Sequence, residues 1–167
     1  RFYEINPAVE RISSEYFTYR HDSQAEVEVI LGDARIRMEQ ELEEGHSQQF
    51  DVLAVDAFSS DSIPMHLLTK ECIEVFCKQL KPDGLLCLHI SNRFLDLGSV
   101  ARGAAQASRW PCIRIKNSWD GEQGLYRSPW VIVTKNRAFL EAPKDVESIK
   151  AWNDEDLPPI LWTDDYA

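Results

Sequence analysis

Residues 50–64, Phe50-Asp51-Val52-Leu53-Ala54-Val55-Asp56-Ala57-Phe58-Ser59-Ser60-Asp61-Ser62-Ile63-Pro64, decide how the chain is read. Val52 to Asp56 is an apolar run that stops on a carboxylate, the pattern of a buried strand. A Ser- and Asp-rich loop follows, and Pro64 restarts the chain. In an open α/β sheet, ligands lie outside the carboxyl ends of the strands. An acid there can take a proton or hold a cationic amine, although Asp is also an ordinary turn former and helix cap.

Upstream, Arg1 to Ile5 reads as a short strand broken by Asn6-Pro7. A helix follows to about Phe17, with Val9, Ile12 and Tyr16 on one face. Glu26 to Leu31 is a second strand, Gly32 ends it, and Asp33 caps a helix over about Ala34 to Glu43. Downstream, Thr69 is a cap, and Ile73, Phe76, Cys77 and Leu80 form a helical stripe. Lys81-Pro82-Asp83-Gly84 is expected to close that helix in a tight turn before a buried strand, Leu85 to Ile90. A helix over about Leu97 to Ser108 precedes strands Cys112–Lys116 and Trp130–Thr134. The loop between these two, with Gly121 and Gly124, suits an antiparallel return. A last helix is expected over Asp145 to Trp152, with Trp152 and Trp162 anchoring the tail.

Strands alternating with helices predict an α/β fold with a mostly parallel sheet. Glu4, Asp33 and Asp56 each end a strand, and the right-handed crossover rule places such ends on one edge. The length, 167 residues, suits one domain, and 44% apolar residues suffice for a core. A formal net charge of -10 disfavours nucleic acid. It suits a cationic substrate, and equally serves solubility. Cys72, Cys77, Cys87 and Cys112 lie in apolar segments without a CxxC pair, so reduced core thiols in a reducing, cytoplasmic compartment are expected. The four histidines lack metal-ligand spacing, so no metal site is expected. No apolar run reaches membrane-span length, and no signal peptide is visible. The chain opens directly on a strand and reads as a piece of a longer polypeptide.

For an adenosine-bearing ligand, Glu4 is placed to accept the ribose hydroxyls and Asp33 to accept from the adenine amino group, as a carboxylate has several acceptor sites. Asp33 as a plain helix cap is the alternative. Asp56 would face the reacting end, binding an ammonium group and helping to deprotonate it. Asp61, Ser59 and Ser60 could hold a polyamine, or form a solvated loop.

Four segments occur in the order found in spermidine synthases: Phe2-Tyr3-Glu4-Ile5-Asn6-Pro7, Leu31-Gly32-Asp33-Ala34-Arg35, Asp51-Val52-Leu53-Ala54-Val55-Asp56 and Leu80-Lys81-Pro82-Asp83-Gly84. Asp56 to Pro64 and His89-Ile90-Ser91-Asn92-Arg93 more closely resemble spermidine-synthase-like proteins, whose domain is often fused to a membrane-transporter-like region. This resemblance implies a class I methyltransferase Rossmann-like sheet, order 3-2-1-4-5-7-6, with helices on both faces. The first strand and glycine-rich loop are absent from this chain, so residues 1–167 are expected to be a single domain shortened at its start. It also implies that Glu4 binds the ribose, Asp33 the adenine and Asp56 the attacking amine, with Ala34 grouped beside Asp33 as cofactor-binding. The family reaction transfers an aminopropyl group from decarboxylated S-adenosylmethionine to putrescine. A small polyamine partner, a homodimer and a membrane-attached parent are further expectations. Two other readings stand beside this one. One is a methyltransferase using S-adenosylmethionine on the same scaffold, and the other a non-catalytic nucleotide-sensing module of a larger protein.

Overall fold

A computed structural model describes residues 1–57, 64–116, 124, 126, 128–141, 149–150, 152 and 157–166, with 149 and 150 in backbone only. The chain divides into two compact units, Arg1–His46 and Ser47–Ala167.

In the first unit, β1 (Phe2–Glu4) pairs in parallel with β2 (Val29–Leu31), Glu4 opposite Leu31. Between them run α1 (Pro7–Tyr16) and a single turn, α2 (Tyr19–Asp22), which the sequence pattern did not announce. Asn6 Oδ1 accepts from Ala8 N at 2.9 Å and Pro7 occupies the first helical turn, where its missing N–H costs nothing. After β2 comes α3 (Ala34–Glu43), whose cap is the expected Asp33: its Oδ1 accepts from Ile36 N at 3.1 Å. Gly32 turns the chain between them at φ +135°, a conformation an L side chain resists. Tyr3 Oη donates to Glu41 Oε2 at 2.8 Å, and Arg1 Nη2 donates to Glu41 Oε1 at 2.6 Å, fastening β1 to α3. Burial, then the Glu41 carboxylate, push the Tyr3 phenol well above its usual range. Met38 is the one fully buried apolar side chain among the described residues here, and Val9, Ile12 and Tyr16 are exposed. The helical stripe forms, but it is not buried.

The second unit contains β3 (Phe50–Val55), α4 (Lys70–Lys78), β4 (Leu80–His89), α5 (Leu97–Ala107), β5 (Cys112–Lys116), β6 (Pro129–Thr134), α6 (Arg137–Glu141) and β7 (Ile149–Lys150). The sheet order is β3-β4-β6-β5-β7. β3 and β4 are parallel, whereas β6 runs antiparallel to both β4 and β5, as the loop between β5 and β6 suggested. The expected order 3-2-1-4-5-7-6, less its first strand, falls into the runs 3-2 and 4-5-7-6. The two observed sheets, β1-β2 and β3-β4-β6-β5, are those runs, with β7 added at one edge.

Packing follows from the stripes. Ile73, Phe76 and Cys77 of α4 and Leu97, Val100, Ala101 and Ala104 of α5 are buried. So are Leu86 and Leu88 of β4 and Val131 and Val133 of β6. Thr69 caps α4 and also donates to Asp164 Oδ1 at 2.8 Å, while Lys70 N donates to the Trp162 carbonyl at 2.9 Å. Trp152 lies under the Arg102 and Arg114 guanidiniums, 5.0 and 4.7 Å from the charged carbons. Both tryptophans therefore anchor the tail, Trp162 through its backbone. All four cysteines are free thiols, and burial pushes Cys77 up to about 12.

Three expectations are corrected. β3 is not a buried strand: Leu53 is its one buried residue and Val52 is 54% exposed, because β3 ends its sheet and β4 covers one side only. Lys81–Gly84 does not close α4 in a turn; β4 already begins at Leu80, opposite Phe50, and the next pair is Val52 with Leu85. The Pro-Asp-Gly chemistry is absorbed as a bulge because the ladder holds the chain on both sides of it. A Cβ at Gly84 would stand 2.7 Å from the Phe50 carbonyl oxygen, so glycine permits that approach. Finally, Ile149–Lys150 is an edge strand on Ile115 and Arg114, not part of a helix. Its conformation is set by β5 and not by local periodicity; residues 145–148 and 151, and Gly121, lie outside the described residues.

Candidate active site

In the second unit, β3, β4 and β5 share one direction and β6 the opposite one. Their carboxyl ends and the start of β6 therefore meet on one edge. Asp56 lies one residue beyond β3, and His89 is the last residue of β4. Asp56 Oδ1 and His89 Nδ1 are 2.7 Å apart, a charge-assisted separation. The Asp56 side chain is 58% exposed and that of His89 19%.

β6 completes the surroundings of the imidazole. His89 pairs with Trp130 across the ladder, and the two rings stack at 4.8 Å with 28° between their planes. Trp130 Nε1 donates to Ser128 Oγ at 2.9 Å, and Ser128 Oγ stands 3.4 Å from His89 Nε2. Beside this group, a cavity of about 210 Å³ is lined by Ile90, Ser91, Asn92, Asp96, Arg114 and Lys116, among others. Asp96 caps α5 by accepting from Gly98 N at 3.1 Å, and Asn92 Oδ1 accepts from Phe94 N and Leu95 N at 2.8 Å, shaping the loop after β4.

The first unit carries the other expected residues. Glu4 and Asp33 both leave the carboxyl edge of the β1–β2 pair, and Gly32 N donates to the Glu4 carbonyl at 2.9 Å. Glu4 Oε1 accepts from Asn6 N at 2.7 Å, Asp33 caps α3, and Ala34 is the first residue of α3. Both carboxylates thus serve the local backbone. Ser59, Ser60 and Asp61 lie outside the described residues. His89, Ser128 and Trp130 were not singled out as site residues from sequence. An ionisable residue closing the apolar run Leu85–His89 was the available signal for the first of them. Among the described residues, no cluster of three or more His, Cys, Asp or Glu side chains could hold a metal ion. Nor is any described helix long and apolar enough to cross a membrane.

An α/β chain with these strand orders and acids at the strand ends has the fold shared by spermidine synthases and class I methyltransferases. The chain is similar in sequence to a polyamine aminopropyltransferase of Vibrio vulnificus (strain CMCP6), 32% identical over 91 residues. That match takes in 54% of this chain and 28% of the relative. Among solved structures, a spermidine synthase in complex with the transition state analogue AdoDATO matches 92% of this chain and 52% of its own, at 16% identity and TM-score 0.57. Human methyltransferase-like protein 13 in complex with SAH matches 79% of this chain and 59% of its own, at 17% identity and TM-score 0.59. The chain thus spans little more than a quarter of the curated relative and between half and three fifths of these structures. No protein-family model matches it. The resemblance to spermidine synthases therefore holds in sequence over those 91 residues and in fold.

Proposed function

We propose that this chain is part of an aminopropyltransferase-like enzyme. It would transfer the aminopropyl group of decarboxylated S-adenosylmethionine to a polyamine such as putrescine. The supporting observation is the Asp56–His89 pair at the carboxyl edge of β3 and β4. Asp56 orients the ammonium group and assists its deprotonation, since an amine attacks only after losing a proton. Glu4 and Asp33 accept from the ribose and the adenine, with Ala34 beside them. Ser59, Ser60 and Asp61 hold the remainder of the polyamine. The donor is a co-substrate, and no metal is invoked.

Incubating the full-length protein with putrescine and decarboxylated S-adenosylmethionine should release methylthioadenosine. Asp56→Asn should lower the rate by about 10²- to 10⁴-fold, the range for a lost acid–base group. An unchanged rate would remove Asp56 from the mechanism. A methyltransferase is the second reading, favoured by the likeness to the human methyltransferase-like protein in complex with SAH. It predicts methylation of an acceptor from intact S-adenosylmethionine.

A further inference from the structure

We propose that residues 157–164 form a strap that positions the walls of the amine site, by tying the first turns of α4 and α5 to one another. The strap fixes the two segments that enter these helices, Pro64–Leu67 and Asn92–Asp96, and Asp164 is its chief positioning residue. This rests on the transferase reading above and assigns a role within that site to residues that touch neither substrate.

Both helices begin at the carboxyl edge of the sheet. α4 follows β3 and Asp56 by way of a 3₁₀ turn, Met65–Leu67, and α5 follows β4 and His89 by way of the loop that Asn92 shapes. The strap crosses both helix starts. At α5, Ile160 N donates to the Ser99 carbonyl at 3.0 Å, and the Ser99 hydroxyl stands 3.3 Å from the Leu157 carbonyl oxygen. That hydroxyl also donates to Asp96 Oδ2 at 2.9 Å, and Asp96 lines the cavity beside the Asp56–His89 pair. At α4, Lys70 N donates to the Trp162 carbonyl at 2.9 Å and Thr69 Oγ1 donates to Asp164 Oδ1 at 2.8 Å. Asp164 N in turn donates to Glu71 Oε2 at 3.1 Å. The first N–H groups of a helix have no acceptor within it, so Trp162 supplies one from outside. The Thr69 hydroxyl also stands 3.3 Å from the His66 carbonyl oxygen, which carries the tie into the 3₁₀ turn.

The strap is seated largely by its main chain. Leu157, Ile160 and Leu161 keep their side chains exposed. Gly103 permits the approach on α5, because a Cβ there would run into the Ile160 carbonyl. Pro158 and Pro159 fix two φ angles, so the segment gives up little freedom in lying extended. Ile73 and Phe76 of α4 and Leu97, Val100 and Ala104 of α5 hold both helices in the core without it. Loss of the strap therefore frees the first turns of two helices that stay packed. Small displacements around a reacting pair cost rate out of proportion to stability. Coupling of this kind is reciprocal: a strap that favours the amine-binding arrangement must itself be favoured when the amine is bound.

The test uses the full-length protein. Asp164→Ala removes the acceptor from Thr69, whereas Asp164→Asn keeps an amide oxygen in its place. Gly103→Ala unseats Ile160 while leaving α5 with a better helix former. With putrescine and decarboxylated S-adenosylmethionine, Asp164→Ala and Gly103→Ala should each lower kcat/KM for putrescine by about tenfold or more. The loss should fall on KM, with kcat within about threefold of native, because the strap sets binding walls and not the reacting groups. Asp164→Asn should restore most of it. Independently of turnover, putrescine with methylthioadenosine should slow hydrogen exchange at the Ile160 and Lys70 amides of the native protein by about fivefold or more. That slowing should exceed any at the core amides of β6, a response that a strap serving stability alone would not give. Exchange at these two amides that ignores the ligands would overturn the proposal, even if a variant failed to fold. An unchanged KM in both folded variants would overturn it too. Either result beside normal native turnover overturns the strap alone, whereas a native protein that neither binds putrescine nor transfers to it would overturn the transferase reading with it.

Discussion

The segment Arg1–His46 and the segment Ser47–Tyr166 are held by different forces. The first relies on caps and charged contacts: Asn6 and Asp33 at helix starts, Glu41 clasped by Tyr3 and Arg1, Glu10 by Arg20. Its one fully buried apolar side chain among the described residues is Met38, whereas the second buries Phe76, Ile73, Leu86, Leu88, Val131 and Val133, among others, to 1% exposure or less. An apolar periodicity therefore states which face a helix would bury, and not whether that face is buried. The acids divide the same way. Glu4 and Asp33 bond to backbone within three residues of themselves, whereas Asp56 bonds to a side chain 33 residues away on the neighbouring strand.

The contrast can be broken or sharpened by substitution. Phe76→Ala should have the largest effect on stability, about 3–5 kcal/mol for a fully buried aromatic, read by urea denaturation. A loss below about 1 kcal/mol would mean that the second unit is not core-dominated. Gly84→Ala should cost about 1–3 kcal/mol, because the new methyl meets the Phe50 carbonyl, a backbone atom that cannot rotate away. Asp33→Ala should cost about 1 kcal/mol through its lost cap, and Asp33→Asn should cost almost nothing because Asn caps as well. If Asp33 also reads the adenine, both variants should bind the donor more weakly, which separates the two roles. Ile12→Ala, on the exposed face of α1, should stay within about 0.5 kcal/mol. The smallest change expected is none: with its thiol pushed up to about 12, Cys77 is almost wholly protonated at pH 8. It should resist iodoacetamide until denaturant unfolds the chain.

What could be read from the sequence was whatever is decided locally. Caps at Asp33 and Thr69, the first-turn Pro7 and the stripe through Ile73 and Phe76 depend on residues three or four apart, and all are found. What escaped depends on a neighbour that is distant in sequence. Lys81–Gly84 has turn chemistry, but the ladder with β3 draws it into a bulged strand. Ile149–Lys150 is extended because β5 offers it an edge. β3 was read as buried because apolar runs look alike whether one side or two are covered. In the candidate site, Asp56 was visible as a strand-end acid. Its partner was not, because strand order and register decide which side chain stands beside it, and His89, Ser128 and Trp130 reach it only through that pairing.

The central claim is that Asp56 and its imidazole partner prepare an amine to take an aminopropyl group. Mass analysis of putrescine after incubation with the full-length protein, with either decarboxylated or intact S-adenosylmethionine, tests it most directly. The account predicts an aminopropyl adduct from the decarboxylated donor, strongly reduced in Asp56→Asn. A methyl adduct formed from the intact donor, or an aminopropyl adduct formed equally well by Asp56→Asn, would contradict it.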